Sequence, residues 1–171
     1  MIYLIIALAI AARFIPDAAN FSPVYAGLLF GGVYLKRRDS IWFPILLLAG
    51  SDLLVNALLY QTSFQWMQTL NWVAFAGIVV VGWWLQKRVT MRNVLVASVA
   101  GPSVFFLISN FAVWLVGGMY PPTPGGLAAC YAAAIPFYGN SLISAVLFSG
   151  ILFGAYEYYL RRAHSHQVAT R

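Results

Sequence analysis

Charge is what this sequence has least of. Only 8% of its 171 residues are charged, and four of them are acids. Soluble domains carry roughly a quarter charged residues. Water cannot solvate a surface this poor in charge, so a soluble globule is excluded. Four scattered acids also leave no carboxylate pair for hydrolysis. The chain has two histidines, His164 and His166, both in a polar C-terminal stretch, so none lies in an apolar run where it would bind haem. A single cysteine, Cys130, rules out an internal disulfide. Set among alanines, it reads as a small packing residue rather than a soft metal ligand. No G-x-x-x-x-G-K-[ST], H-E-x-x-H or G-x-S-x-G occurs. The expectation is a protein that is not an enzyme and has no cofactor and no metal.

What is present is apolar: 62% of residues are hydrophobic, and they lie in long runs. A helix needs about 20 residues to cross the hydrocarbon of a bilayer. Residues 41–60, 69–86, 94–118 and 138–160 qualify. Two shorter runs, 2–15 and 22–35, flank 16-PDAANFSP-23 and read as short spans joined by a dipping loop. Pro16 and Pro23 stop a helix on either side of it. The segment 1–14 lacks the basic start of a signal peptide, so it reads as a retained span. The fold class is therefore an all-α membrane protein of six transmembrane helices. The proline-rich 119-MYPPTPGGLAACYAAAIPFYGN-140 adds a short outer helix, re-entrant or interfacial, over 125–134, ended by Pro136. Residues 1–162 form one domain, and 163–171 form a mobile polar tail.

The ten cations give a net charge of +6. Nine of them fall in three clusters: Lys36, Arg37 and Arg38; Lys87, Arg88 and Arg92; Arg161, Arg162 and Arg171. All three clusters lie on one face of the six-span arrangement, which the positive-inside rule makes cytoplasmic together with both termini. Short basic clusters between apolar runs suit anionic lipid headgroups, not nucleic acid. Trp42, Trp83 and Trp84 near the basic loops, with Trp66, Trp72 and Trp114 near the opposite ends, form the two aromatic belts of a membrane interface.

The tenth cation, Arg13, and the one acid inside a long apolar run, Asp52, are the candidates for a buried charge pair. Each lies about eleven residues into its expected helix, roughly 16 Å deep at 1.5 Å per residue. An isolated charge at that depth costs a few kcal/mol or more, and pairing removes that penalty. Asp17 is the competing partner for Arg13. Asn56 shares the Asp52 face one turn on. At the outer end, Asn20, Phe21, Asn71, Trp72, Asn110, Trp114, Tyr120, Tyr131 and Asn140 supply the aromatic and polar groups of a small-molecule site. Within that set, Asn20, Phe21, Asn110, Trp114, Tyr120, Tyr131 and Asn140 are the candidate ligand-binding residues. Ala7 and Ala11, and again Gly27 and Gly31, have the small-xxx-small spacing of close helix contacts. The first pair is a candidate docking face.

Several motifs recur together: R-F-I-P-x-x-x-N-F-S-P-V at 13–24, L-F-G-G at 29–32, S-D-L at 51–53, S-N-F-A-V-W at 109–114, Y-P-P-T-P-G-G-L at 120–127 and C-Y-A-A-A-I-P-F at 130–137. As a set they resemble a family of small, uncharacterised bacterial integral membrane proteins. The architecture resembles the substrate-binding S-component of energy-coupling-factor vitamin transporters. That resemblance implies a multi-pass protein of the bacterial inner membrane that captures a small molecule, such as a vitamin, under outer loops 16–23 and 119–137. It also implies a membrane coupling subunit docked on Ala7 and Ala11, with separate ATPases. Two other roles fit the residues: an accessory subunit packed in a larger membrane complex, or a proton-coupled carrier using Asp52.

Overall fold

The structure is a computed structural model that describes residues 1–14, 20–61 and 67–169; for 59, 60, 67 and 164–169 it describes the backbone alone. All regular structure among the described residues is helical. Helix α1 spans Ile2–Ala11 and tightens into a 3₁₀ turn at Ala12–Phe14. Helix α2 is Val24–Tyr34. Helix α3 is Arg37–Val55 and widens into a π-helical turn at Asn56–Tyr60. Helices α4, α5 and α6 are Met67–Leu85, Met91–Val116 and Pro124–Ala169.

Among the described residues, four stretches are long and apolar enough to cross a membrane: Arg37–Leu58, Gln68–Leu85, Met91–Val116 and Pro124–Ala163. Ile2–Phe14 and Val24–Tyr34 are apolar but shorter. Such helices are compatible with a membrane protein. Large apolar side chains face outward along them, Leu4, Leu8, Leu46, Leu107, Ile143 and Ile151 among them, as they would against lipid.

Helix α2 is the pillar of the bundle. Every residue from Val24 to Val33 is buried, which explains why its sequence is apolar all round. It can be that tightly enclosed because its small residues let neighbours close in. A Cβ on Gly32 would lie 2.5 Å from the Val79 carbonyl oxygen and 2.9 Å from Gly82 Cα. The α2–α4 crossing thus needs glycine on both helices. Gly27 meets Ala9 of α1 in the same way, so the Gly27 and Gly31 stripe is spent inside the bundle. On α1 itself, Ala11 is exposed and Ala7 is partly covered.

Paired contacts fix how the helices run. Tyr3 donates to Asp39 at 2.8 Å near one end of α1 and α3, and Arg13 reaches Ser51 and Asp52 near the other, so these two helices are parallel. Trp83 Nε1 donates to Ser40 and Trp72 Nε1 to Asp52, so α3 and α4 are antiparallel in one steady register. Phe75 stacks against Phe105 and Gly77 meets Val104, so α4 and α5 are antiparallel too. Phe30 packs on Phe153 and Tyr34 donates to Glu157, so α2 and α6 run together.

Two expectations are corrected. The separate outer helix over 125–134 does not exist: α6 runs unbroken through Pro136 for 46 residues. A proline removes one donor and crowds the carbonyl four residues back, but neighbouring groups make it tolerable in apolar helices. The alanines of 128–134, the best helix formers, carry the helix up to it. Pro44 and Pro102 likewise sit inside α3 and α5. Helix α6 also continues into the polar segment that starts at residue 163, as far as Ala169. At 1.5 Å per residue α6 is about 69 Å long, and past Glu157, where α2 ends beside it, it runs on for about 18 Å. Finally, α3 starts at Arg37, not 41, because Lys36 in extended conformation precedes it and Asp39 sits favourably in its first turn. Asp52 therefore lies about 22 Å along α3, nearer the end remote from the basic clusters than the middle.

Candidate functional site

Near that remote end, four side chains from three helices close a polar network. Arg13 follows α1 in the 3₁₀ turn. Its Nη2 lies 2.6 Å from Asp52 Oδ1, and its Nη1 donates to Ser51 Oγ at 2.9 Å. Ser51 passes its own proton to the Leu48 carbonyl at 2.8 Å. The second Asp52 oxygen accepts from Trp72 Nε1 at 2.7 Å. The side chains of Arg13 and Asp52 are 25% and 12% exposed, so the pair is well shielded. Both carboxylate oxygens are engaged, and the two charges cancel. Asp17 lies outside the described residues.

The register set by Trp83 on Ser40 and Trp72 on Asp52 places Gln68 opposite Asn56 one turn further on. Asn56 opens the π-helical turn of α3. Here the hydrogen bonding is incomplete. Asn56 Nδ2 and Gln68 Oε1 are buried and find no partner among the described residues, each other included. A buried polar atom left so costs about 1–3 kcal/mol. π-Helical turns occur often at functional sites. The turn ends at Gln61, which adopts a left-handed backbone, φ 50°, a conformation uncommon for a residue other than glycine.

The candidate ligand-binding residues fall mostly on the α5–α6 seam at the same end. Asn110 Nδ2 donates to the Phe106 carbonyl of its own helix at 2.8 Å. Tyr131 donates across to the Leu107 carbonyl at 2.7 Å, and the Cys130 thiol points to the Asn110 carbonyl at 3.4 Å. Trp114 donates to the Pro121 carbonyl at 3.0 Å, closing the turn between the helices. Phe106 packs against Tyr131 and Tyr138, and Tyr138 shares a proton with Ser103 at 2.7 Å. Tyr120 is partly buried in that turn, and Asn140 is partly buried further along α6. Asn20 is exposed with φ 63°, a left-handed turn position that asparagine tolerates. Phe21 packs on Phe148, about 25 Å along α6 from Tyr131, so it is not gathered with the seam.

The two groups share one level. Tyr25, in the first turn of α2, touches both Phe75 and Phe105. Continuing the α4–α5 register from that contact brings Trp72 and Gln68 level with Ile108 to Ala112, and so with Asn110. The central helix begins at Val24, below this level. Polar side chains of α3, α4 and α5 thus lie at one height, just above the first turn of α2, with Asn110 on the face of α5 that meets α6. Among the described residues no three His, Cys, Asp or Glu side chains gather as a metal site.

Ser51 and Gln68 are participants that the sequence did not single out, and Trp72, counted among the outer aromatic groups, was not paired with Asp52. The signal available was the four-residue spacing of Gln68 and Trp72, which puts both on one face of α4. A tryptophan near a helix end reads first as part of an interface belt, and that obscured its bond to Asp52.

A family model described as "Family of unknown function (DUF6580)" matches residues 1–168, and the chain belongs to that family. No curated protein and no solved structure matches the chain.

Proposed function

We propose that this member of the DUF6580 family is a non-catalytic, membrane-embedded binding subunit that captures a small molecule, such as a vitamin or related micronutrient, from the outer side of a bacterial inner membrane. The basic clusters then mark the cytoplasmic face, where they meet anionic lipid, and the polar level lies towards the outer face. The observation that carries this reading is the buried charge pair of Arg13 and Asp52 with two unbonded amide atoms, on Asn56 and Gln68, one turn away. Such groups are expensive in an apolar bundle, and a purely structural pair does not need the unbonded Asn56 and Gln68 beside it. Arg13, Ser51, Asp52 and Trp72 set the floor of the site. The α5–α6 seam of Asn110, Trp114 and Tyr131 forms its wall, with Tyr120 and Asn140 beside it and Asn20 and Phe21 on the segment leading into α2.

The role is like that of the S-component of an energy-coupling-factor transporter. Uptake then needs a coupling subunit, docked on the outward face of α1 at Ala7 and Ala11, and separate ATPases. Native mass spectrometry of the purified protein tests the proposal. A bound small molecule of reproducible mass is expected, and the folded double variant Asn110→Ala/Trp114→Ala should lose it. Recovery of no small molecule, with a stable membrane-protein partner in its place, would overturn capture in favour of an accessory subunit. Retention of the molecule by Asp52→Asn with unchanged uptake would remove proton coupling through Asp52.

A further inference from the structure

We infer that Asn56 and Gln68 form a paired contact for the amide edge of an uncharged ligand, an inference that rests on the capture reading above and names the chemistry of its ligand. Three observations converge on it. First, the contacts of Trp83 with Ser40 and Trp72 with Asp52 hold α3 and α4 in a register that sets Asn56 across from Gln68. Second, the two side chains present complementary unpaired atoms, an N–H donor on α3 and a carbonyl acceptor on α4, both buried and not bonded to each other. Third, a π-helical turn begins at Asn56, and such turns occur often at functional sites.

The chemistry then selects the ligand. A group that accepts from Asn56 and donates to Gln68 must carry both functions side by side. The edge of a carboxamide, lactam or imide does so, with its C=O facing Asn56 and its N–H facing Gln68. Turning both side-chain amides about their axes exchanges donor and acceptor, and an amide edge still matches. A charged group does not suit the site. Arg13 and Asp52 already neutralise each other, with both carboxylate oxygens occupied, so an ionised ligand would find no counter-charge there. A ketone or ether supplies only an acceptor and leaves Gln68 unpaired, which is how polar sites reject near-isosteres.

The test uses the full-length protein in detergent micelles and three probes of equal size: benzamide, acetophenone and benzoate. Ligand-observed saturation-transfer NMR should detect benzamide, with acetophenone and benzoate about tenfold weaker or absent. The same loss is expected for benzamide with Asn56→Leu and, independently, with Gln68→Met, each checked for a monodisperse elution profile. Benzamide binding no better than acetophenone, or benzamide binding unchanged in both variants, overturns the inference. If benzamide fails while native mass spectrometry still finds a retained small molecule, the amide assignment falls and capture stands. If neither is found, both fall.

Discussion

The α5–α6 seam and the α1–α3–α4 corner stand at the same height in the bundle and treat polar groups in opposite ways. On the seam, Asn110, Trp114 and Tyr131 each donate to a backbone carbonyl within reach of their own turn or the facing helix. Such bonds are local, neutral and complete. In the corner, charge is held side chain to side chain across three helices, and one turn away two buried atoms have no partner among the described residues. Buried polar groups in native proteins are nearly all bonded, and the exceptions call for an explanation. The seam is explained by stability alone, and the corner is not. Asn110, Trp114 and Tyr131 therefore act chiefly as a fixed wall, in which the Asn110 amide oxygen and the Tyr131 hydroxyl keep acceptor lone pairs and Trp114, a donor only, keeps none.

The harshest way to test this contrast is to strip one charge from the corner. Asp52→Leu strands Arg13 and should destabilise the protein by about 3–5 kcal/mol, read as the shift in SDS-driven unfolding in mixed micelles. The double variant Arg13→Leu/Asp52→Leu should recover most of that loss, since removing both partners of a buried pair is often close to neutral. An Asp52→Leu variant as stable as the wild type would mean that Arg13 is already solvated, and the corner would cease to be special.

A gentler test removes one donor from each region. Trp72→Phe loses a bond to a carboxylate and should cost about 1.5–3 kcal/mol, whereas Tyr131→Phe loses a neutral bond to the Leu107 carbonyl and should cost about 1 kcal/mol. The same unfolding assay orders them. Equal costs would erase the electrostatic difference between the two regions.

Much of this geometry is legible in the sequence. A lone acid and a lone arginine in apolar runs need a partner, and the sequence leaves Arg13 two candidates, Asp52 and Asp17. The helix boundaries used to reach that pairing are less accurate, since α3 starts a full turn before residue 41. The Tyr3–Asp39 bond sets α1 beside α3, and the long arginine side chain still reaches Asp52. The continuity of α6 is not legible, because proline chemistry argues for a break at Pro136 and only the packed bundle overrides it. Nor are the bond of Trp72 to Asp52 and the placement of Gln68 beside Asn56, which depend on the α3–α4 register. Side-chain spacing within one helix says nothing about what faces it on another.

The smallest expected effect is also the sharpest discriminator, because its sign is unusual. Most buried substitutions destabilise, typically by 0.5–3 kcal/mol. Asn56→Leu replaces an amide whose Nδ2 is buried without a partner with an apolar side chain of similar size. If that amide exists for a ligand, the empty protein should lose nothing and should gain up to about 1 kcal/mol in unfolding free energy, as the penalty of an unbonded donor disappears. On the seam, Asn110→Leu should destabilise by about 1 kcal/mol, because its amide is bonded to Phe106. Two asparagines at one height in the same bundle, changed in the same way, should thus shift stability in opposite directions. Such a split is the mark of a residue kept for binding rather than for folding, since natural proteins tend to give up stability where function needs an unsatisfied group.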